Sequence, residues 1–294
     1  MKQDKLIAIA LAVVALTAVS GLALITLFIF KEGVPILFKV GLREFLFSSN
    51  WQPMEGANRP PVHFGILAMI VGSLAVTIGA VIVGVALGLG CAIVLTQFCP
   101  RKVVSVLKPA IELLAGIPSV VYGFIGMVVL CPFIMNHLWG PGQSVLAASI
   151  VLGIMVLPTI TSISVDALQA VPRAYYEGSI ALGATKWQTT RMVMLKAARS
   201  GIVAAVILGM GRAIGETMAV VMVAGNTPQI PHSALDPVRT LTATIVMDMG
   251  EAAGGGQHRE ALFAIGVVLF AIIMVLNTIA MTFSRRQARR RAGK

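Results

Sequence analysis

Long apolar runs separated by short polar intervals dominate this chain. Six stand out, over residues 6–30, 64–97, 103–135, 144–165, 201–225 and 261–283. Each has about the 20 residues that a helix needs to cross a bilayer. None alternates residue by residue as a transmembrane barrel strand does. The second and third exceed the length of a span, which predicts tilt or an interfacial piece. In the third, Lys108, Pro109 and Glu112 predict a surface helix that bends at Gly116, Ile117 and Pro118 before the span proper. The first run follows Lys2 and Lys5 and contains an Ala-Val-Ser-Gly sequence resembling a cleavage site. It continues past Gly21 to Phe30, longer than the apolar core of a signal peptide, so an uncleaved span is expected. Residues 241–249 are apolar but too short to span, and predict an interfacial or re-entrant helix.

Composition agrees with a membrane location: 57% of the 294 residues are hydrophobic and 12% charged, against about 25% charged in soluble domains. The fold class expected is all-α, a polytopic bundle of about six transmembrane helices. The net charge of +11 does not indicate a nucleic-acid partner, because the cations flank the spans. With both termini in the cytoplasm, sixteen Lys and Arg fall inside and six outside, leaving Arg212 within a span. That bias follows the positive-inside rule. It places loops near 31–63 and 226–260 outside and a loop near 166–200 inside. The expected organisation is an N-terminal helix and external loop over 1–63, then a helical membrane bundle over 64–290. Cys91, Cys99 and Cys131 lie in or beside apolar segments at no metal spacing and read as packing residues. No metal and no cofactor is expected.

The chain has no phosphate-binding G-x-x-x-x-G-K-[ST], no H-E-x-x-H and no G-x-S-x-G, so neither nucleotide hydrolysis nor another hydrolytic chemistry is indicated. Its unusual chemistry is intramembrane. Gly211-Arg212-Ala213-Ile214-Gly215-Glu216-Thr217-Met218 puts two charges in an apolar run. Each costs about 2.5–3.5 kcal/mol at a bilayer centre on insertion scales. At i and i+4, Arg212 and Glu216 would share one helix face, either as a structural ion pair or as groups lining a pathway. Arginine suits an oxyanion, because its guanidinium is always charged and its donor fork matches phosphate oxygens. Of two G-x-x-x-G pairs, Gly84/Gly88 and Gly211/Gly215, the first reads as helix packing.

The inner loop is the second informative stretch. Pro172 can open a helix, Tyr176 and Ile180 follow at helical spacing, Gly183 can end it, and Trp187 opens the next. A short helix–Gly–helix presents aromatic and apolar knobs to a partner's groove. Glu177-Gly178-Ser179 followed by Gly183 resembles the EAA loop of ABC importer permeases. It departs from that pattern at Gly178 and Ser179, which replace two alanines, and at Lys196, which replaces a distal proline. Further stretches resemble PstC-type phosphate permeases over essentially the whole chain: Glu112 to Gly123, Arg212 to Met218, Asp236 to Ile245, Glu32 to Leu37, and Phe45 to Pro53.

The resemblance implies a type I (MetI-like) importer permease of the bacterial inner membrane that moves inorganic phosphate inward. It implies a heterodimer with a PstA-type permease, a PstB-type ATPase dimer and a periplasmic phosphate-binding protein, and no enzyme activity in this chain. It places Arg212, Glu216, Thr217 and Ser119 on the substrate path, and Tyr176, Glu177, Gly178, Ser179, Ala181, Gly183, Thr185 and Trp187 in the loop that couples to the ATPase. An external driver is physically required, since moving a dianion into a cell at 100 mV costs about 4.6 kcal/mol before any concentration gradient. Other readings are a permease for molybdate, sulfate or phosphonate, an ion-coupled carrier, or a membrane anchor. The orientation is testable: a reporter fused after Lys294 should be active in the cytoplasm, and activity only in the periplasm would reverse the map.

Overall fold

The computed structural model describes residues 2–53, 62–138, 140–252, 254 and 256–292, with the backbone alone at 2–6, 101, 280 and 283–292. The side chains of Lys2, Lys5, Arg59, Arg101 and the basic cluster at 285–294, which weigh heavily in the orientation count, lie outside the described residues. In chain order the helices are α1 (Lys2–Val40), α2 (Leu42–Phe47), α3 (Leu67–Ile93), α4 (Arg101–Ala115), α5 (Ser119–Ile125), α6 (Cys131–Leu138) and α7 (Val145–Gln169). They continue with α8 (Arg173–Ala181), α9 (Lys186–Thr189), α10 (Leu195–Gly215), α11 (Met218–Val223), α12 (Leu241–Met249) and α13 (Gln257–Ala292). Two-residue strands β1 (Trp51–Gln52) and β2 (His63–Phe64) pair antiparallel. Wider π turns at Val94–Phe98, Gly126–Leu130 and Thr190–Met194 extend α3, join α5 to α6, and join α9 to α10.

Among the described residues, six helical stretches are long and apolar enough to cross a membrane: Ile7–Val40, Leu67–Phe98, Ser119–Leu138, Val145–Gln169, Lys186–Gly215 and Gln257–Ile279. The surface helix expected before the third span is α4. It is followed by the expected break, where Gly116, Ile117 and Pro118 interrupt the helix before α5. Two expectations need correction. The first helix does not stop at Phe30 but runs through Pro35 to Val40, taking Lys31 and Lys39 out of the loop near 31–63. The fifth apolar run is not one helix over 201–225: its helix starts earlier, at Lys186, and breaks after Gly215. The short piece at 241–249 is helical, as expected.

The chain divides into two compact units, residues 1–66 with 244–270, and residues 67–243 with 271–294. In the first, Gly33 lets the α1 backbone approach that of Phe263 and Ala264 on α13. Phe28 meets Phe263 edge-on, and Lys39 pairs with Glu260 at 2.8 Å. Trp51 Nε1 donates to Asp248 Oδ2 at 2.9 Å.

The second unit is organised by α7, whose apolar window is 61% buried. α3 lies parallel to it. Ser149 Oγ donates to Val76 O at 3.4 Å and Thr161 Oγ1 donates to Gly88 O at 3.2 Å, both across 73 residues of sequence. Between these bonds, Gly79, Gly84 and Gly88 face Ser149, Val156 and Ile160 with no room for a methyl group, and Gly153 faces Val83 in the same way. The G-x-x-x-G reading of Gly84 and Gly88 as packing therefore holds. α10 runs antiparallel along another side of α7, with Gly201 against Ala167 and Gly209 against Ile160. Ile160 is fully buried, clamped between Gly88 and Gly209.

A Cβ on Gly209 would come within 2.9 Å of Ile160 Cγ1. Gly209→Leu should therefore lower stability by about 1–3 kcal/mol through overpacking, read as a lower melting temperature of the detergent-extracted protein. Gly90→Ala, where nothing lies within 4 Å, should leave it unchanged.

Candidate functional site

The charged pair sits where the fifth span breaks. α10 ends at Gly215, and Glu216 takes an extended backbone with φ −73° and ψ 131°. The helical face expected to hold Arg212 and Glu216 together therefore does not exist, and the two side chains are not ion-paired. The reason lies in the ends the break creates. Arg212 stands in the last turn of α10, where exposed carbonyls favour a cation. The Glu216 carboxylate accepts from Ala219 N at 3.4 Å, at the start of α11, where free N–H groups favour an anion. Each charge is offset by a helix end instead of by the other. Thr242 Oγ1, on α12, donates to Glu216 O at 3.1 Å, and Thr217 Oγ1 donates to Gly215 O at 3.4 Å, which together fix the bend.

Arg212 is exposed and donates from Nη1 to Thr159 Oγ1 on α7 at 3.3 Å. Tyr122, on α5, lies within electrostatic reach of the guanidinium. Its hydroxyl donates to Leu114 O at 2.8 Å, tying α5 back across the break to α4. Ser119 opens α5 one turn before Tyr122 and is half-buried; its side chain makes no hydrogen bond among the described residues. Gly211 and Gly215 have nothing within 4 Å of a built Cβ, so the second G-x-x-x-G makes no close helix contact of the kind seen at Gly84 and Gly88. Thr159, Tyr122 and Thr242 were not singled out from sequence. Tyr122 and Thr242 lie in stretches that carry the family resemblance, whereas Thr159 lies in none, and only the packing of α7 and α12 brings Thr159 and Thr242 here.

The loop near 166–200 folds as the expected helix–Gly–helix. α8 starts after Pro172 and buries none of its side chains. Gly183 takes φ +86°, a conformation costly for other residues, and turns the chain out of the helix. Thr185 and Gln188 form a reciprocal capping box that starts α9. Ser179 Oγ lies 2.9 Å from Thr189 Oγ1 and holds α8 against the start of the fifth span. Glu177, Gly178, Ala181, Thr185 and Trp187 are exposed, whereas Tyr176 is half-buried. Leu182 is 90% exposed and Trp187 54%, so the turn presents large apolar groups outward. Tyr176 and Glu177 also line a groove of about 820 Å³ with α4 and the end of α7. With Lys196 in place of a proline, the helix continues without a turn after Leu195.

This arrangement, a bundle with a broken charged span and an outward helix–Gly–helix, matches known proteins. Residues 84–293 fit the family described as binding-protein-dependent transport system inner membrane component. The chain belongs to this family. It is 43% identical over 276 residues to the probable ABC transporter permease protein YqgH of Bacillus subtilis (strain 168), covering 93% of this chain and 88% of that protein. It is 39% identical over 256 residues to the phosphate transport system permease protein PstC of Mesorhizobium japonicum, covering 80% and 76%. Its fold resembles a chain of the MetNI methionine ABC transporter in an inward-facing conformation, with TM-score 0.58 at 20% identity, covering 74% of this chain and 93% of that one. The ABC importer permease thus has the MetI-like fold expected from its sequence. It is a multi-pass membrane protein and a transport component.

Gly183 offers a direct check on the turn. A left-handed backbone costs a side-chain-bearing residue about 1–2 kcal/mol, so Gly183→Val should loosen the turn, read as severalfold faster amide hydrogen exchange over residues 178–188. Gly178→Ala, with open space around it, should leave that exchange at the wild-type rate.

Proposed function

We propose that this permease conducts inorganic phosphate into the cytoplasm, sharing its path with a PstA-type permease. A PstB-type ATPase dimer hydrolyses ATP, and a periplasmic phosphate-binding protein delivers the anion. The observation that carries this reading is Arg212: an exposed guanidinium in a membrane-spanning segment, paired with no carboxylate among the described residues. A buried structural ion would need a partner, whereas an exposed arginine fork can take two oxygens of a tetrahedral oxyanion. The relatives bearing the name PstC support phosphate as that oxyanion.

In this reading Glu216 repels the anion as it leaves, while Thr217 and Ser119 line the path. The inner loop meets the ATPase through Tyr176, Glu177, Gly178, Ser179, Ala181, Gly183, Thr185 and Trp187. Both termini lie in the cytoplasm and the bundle spans the inner membrane. Residues 1–63 act as an N-terminal helix and periplasmic loop, and 64–290 as the permease domain.

The test is labelled-phosphate uptake by vesicles carrying all the subunits, with sulfate and molybdate as competitors. Uptake should resist both competitors; equal competition by either would point to another oxyanion. Because no carboxylate depends on Arg212 for charge balance, Arg212→Met should assemble at wild-type membrane abundance. It should reduce phosphate uptake by at least about tenfold, as expected for a lost charge-assisted hydrogen bond. Arg212→Lys should fall in the same direction, since it keeps the charge but loses the fork. Wild-type uptake by Arg212→Met would remove the assignment.

A further inference from the structure

Thr159 is half-buried on α7, one residue after Pro158 and one before the clamped Ile160. Its hydroxyl behaves unlike most threonine hydroxyls in these helices. Thr77, Thr96, Thr190 and Thr278 each donate to the carbonyl four residues earlier, at 2.7–2.8 Å. Thr159 makes no such bond; its oxygen accepts from Arg212 instead. Its proton therefore has no acceptor among the described residues. A tetrahedral oxyanion has more lone pairs than one guanidinium can satisfy, and a hydroxyl adjoining that guanidinium supplies the next donor.

We propose that Thr159 is the second anion-binding group of the path. With the site empty, its oxygen holds the Arg212 guanidinium. With an oxyanion bound, the hydroxyl proton is donated to an anion oxygen beside the arginine fork. The placement is rigid. Ile160 fits between Gly88 and Gly209, which sets the rotation of α7 and the height of α10 beside it. Thr159 and Arg212 thus meet by helix packing and not through a loop. The ligand class is a tetrahedral oxyanion, and the proposal rests on Arg212 lying on the phosphate path.

The experiment compares Thr159→Val and Thr159→Ser in the complete importer, using labelled inorganic phosphate and checking membrane abundance. Valine keeps the shape and removes the hydroxyl. It should raise the apparent KM for phosphate by about tenfold, the order of one hydrogen bond to a charged group, with maximal rate within about twofold. Serine should restore the KM to near wild type. A wild-type KM in Thr159→Val would overturn the proposal, as would a serine variant as impaired as the valine one, since the methyl group and not the hydroxyl would then matter. Arg212→Met run in parallel separates the two failures. If Arg212→Met loses uptake while Thr159→Val keeps its KM, only the Thr159 proposal falls; if Arg212→Met transports normally, the path reading falls with it.

Discussion

The second unit depends on the close approach of α3 and α10 to α7. Lipid tails are as apolar as leucine, so the hydrophobic effect gives little reason for helices to associate within a bilayer. Association needs surface contact and hydrogen bonds, and here glycines supply the first. Gly79, Gly84 and Gly88 let α3 reach α7, Gly153 returns the fit, and Gly201 and Gly209 admit α10. Thr161 and Ser149 add hydrogen bonds at the two ends of the α3 contact. Ile160 occupies the point where the three helices meet, so its neighbour Thr159 and the facing Arg212 inherit a fixed position.

The charges follow from a second constraint. A peptide chain within lipid must satisfy its backbone polar groups internally, so a helix breaks there only where something else meets the freed groups. After Gly215 the helix breaks, and side chains meet two of the freed groups: the Glu216 carboxylate accepts from Ala219 N, and Thr242 donates to the Glu216 carbonyl. The break creates a carbonyl end beside Arg212 and an amide end beside Glu216, so each charge has its own electrostatic partner. Arg212 is thereby free to face outward, which an i,i+4 ion pair would have prevented.

Much of this was legible in sequence. The number of spans follows from apolar run length, the break before α5 from Gly116 and Pro118, and the inner helix–Gly–helix from Pro172, Gly183 and the Thr185 cap. The break in the fifth span was not legible, because Gly215-Glu216-Thr217 contains no proline and lies at helical spacing with what precedes it. Its cause is tertiary: Thr242 belongs to a different helix. The first helix was read too short because Lys31, Glu32 and Pro35 look like the start of a loop, whereas Gly33 packs against Phe263 and Ala264 and the helix continues to Val40. Thr159 was invisible for the same kind of reason, since its role depends on a contact 53 residues away in sequence.

The exposure of the loop around α8 has a consequence for its backbone. α8 buries none of its side chains, and Leu182 and Trp187 project outward beyond it. A nine-residue helix of this kind has little cooperative stability of its own, and the Ser179–Thr189 bond holds it only locally. Its amides belong to the weakly protected end of the molecule's hydrogen-exchange spectrum, and they gain protection when another surface covers them. On the proposed docking of the ATPase, the loop's backbone is a built-in reporter of assembly, exchanging fast in the lone subunit and slowly in the seated one.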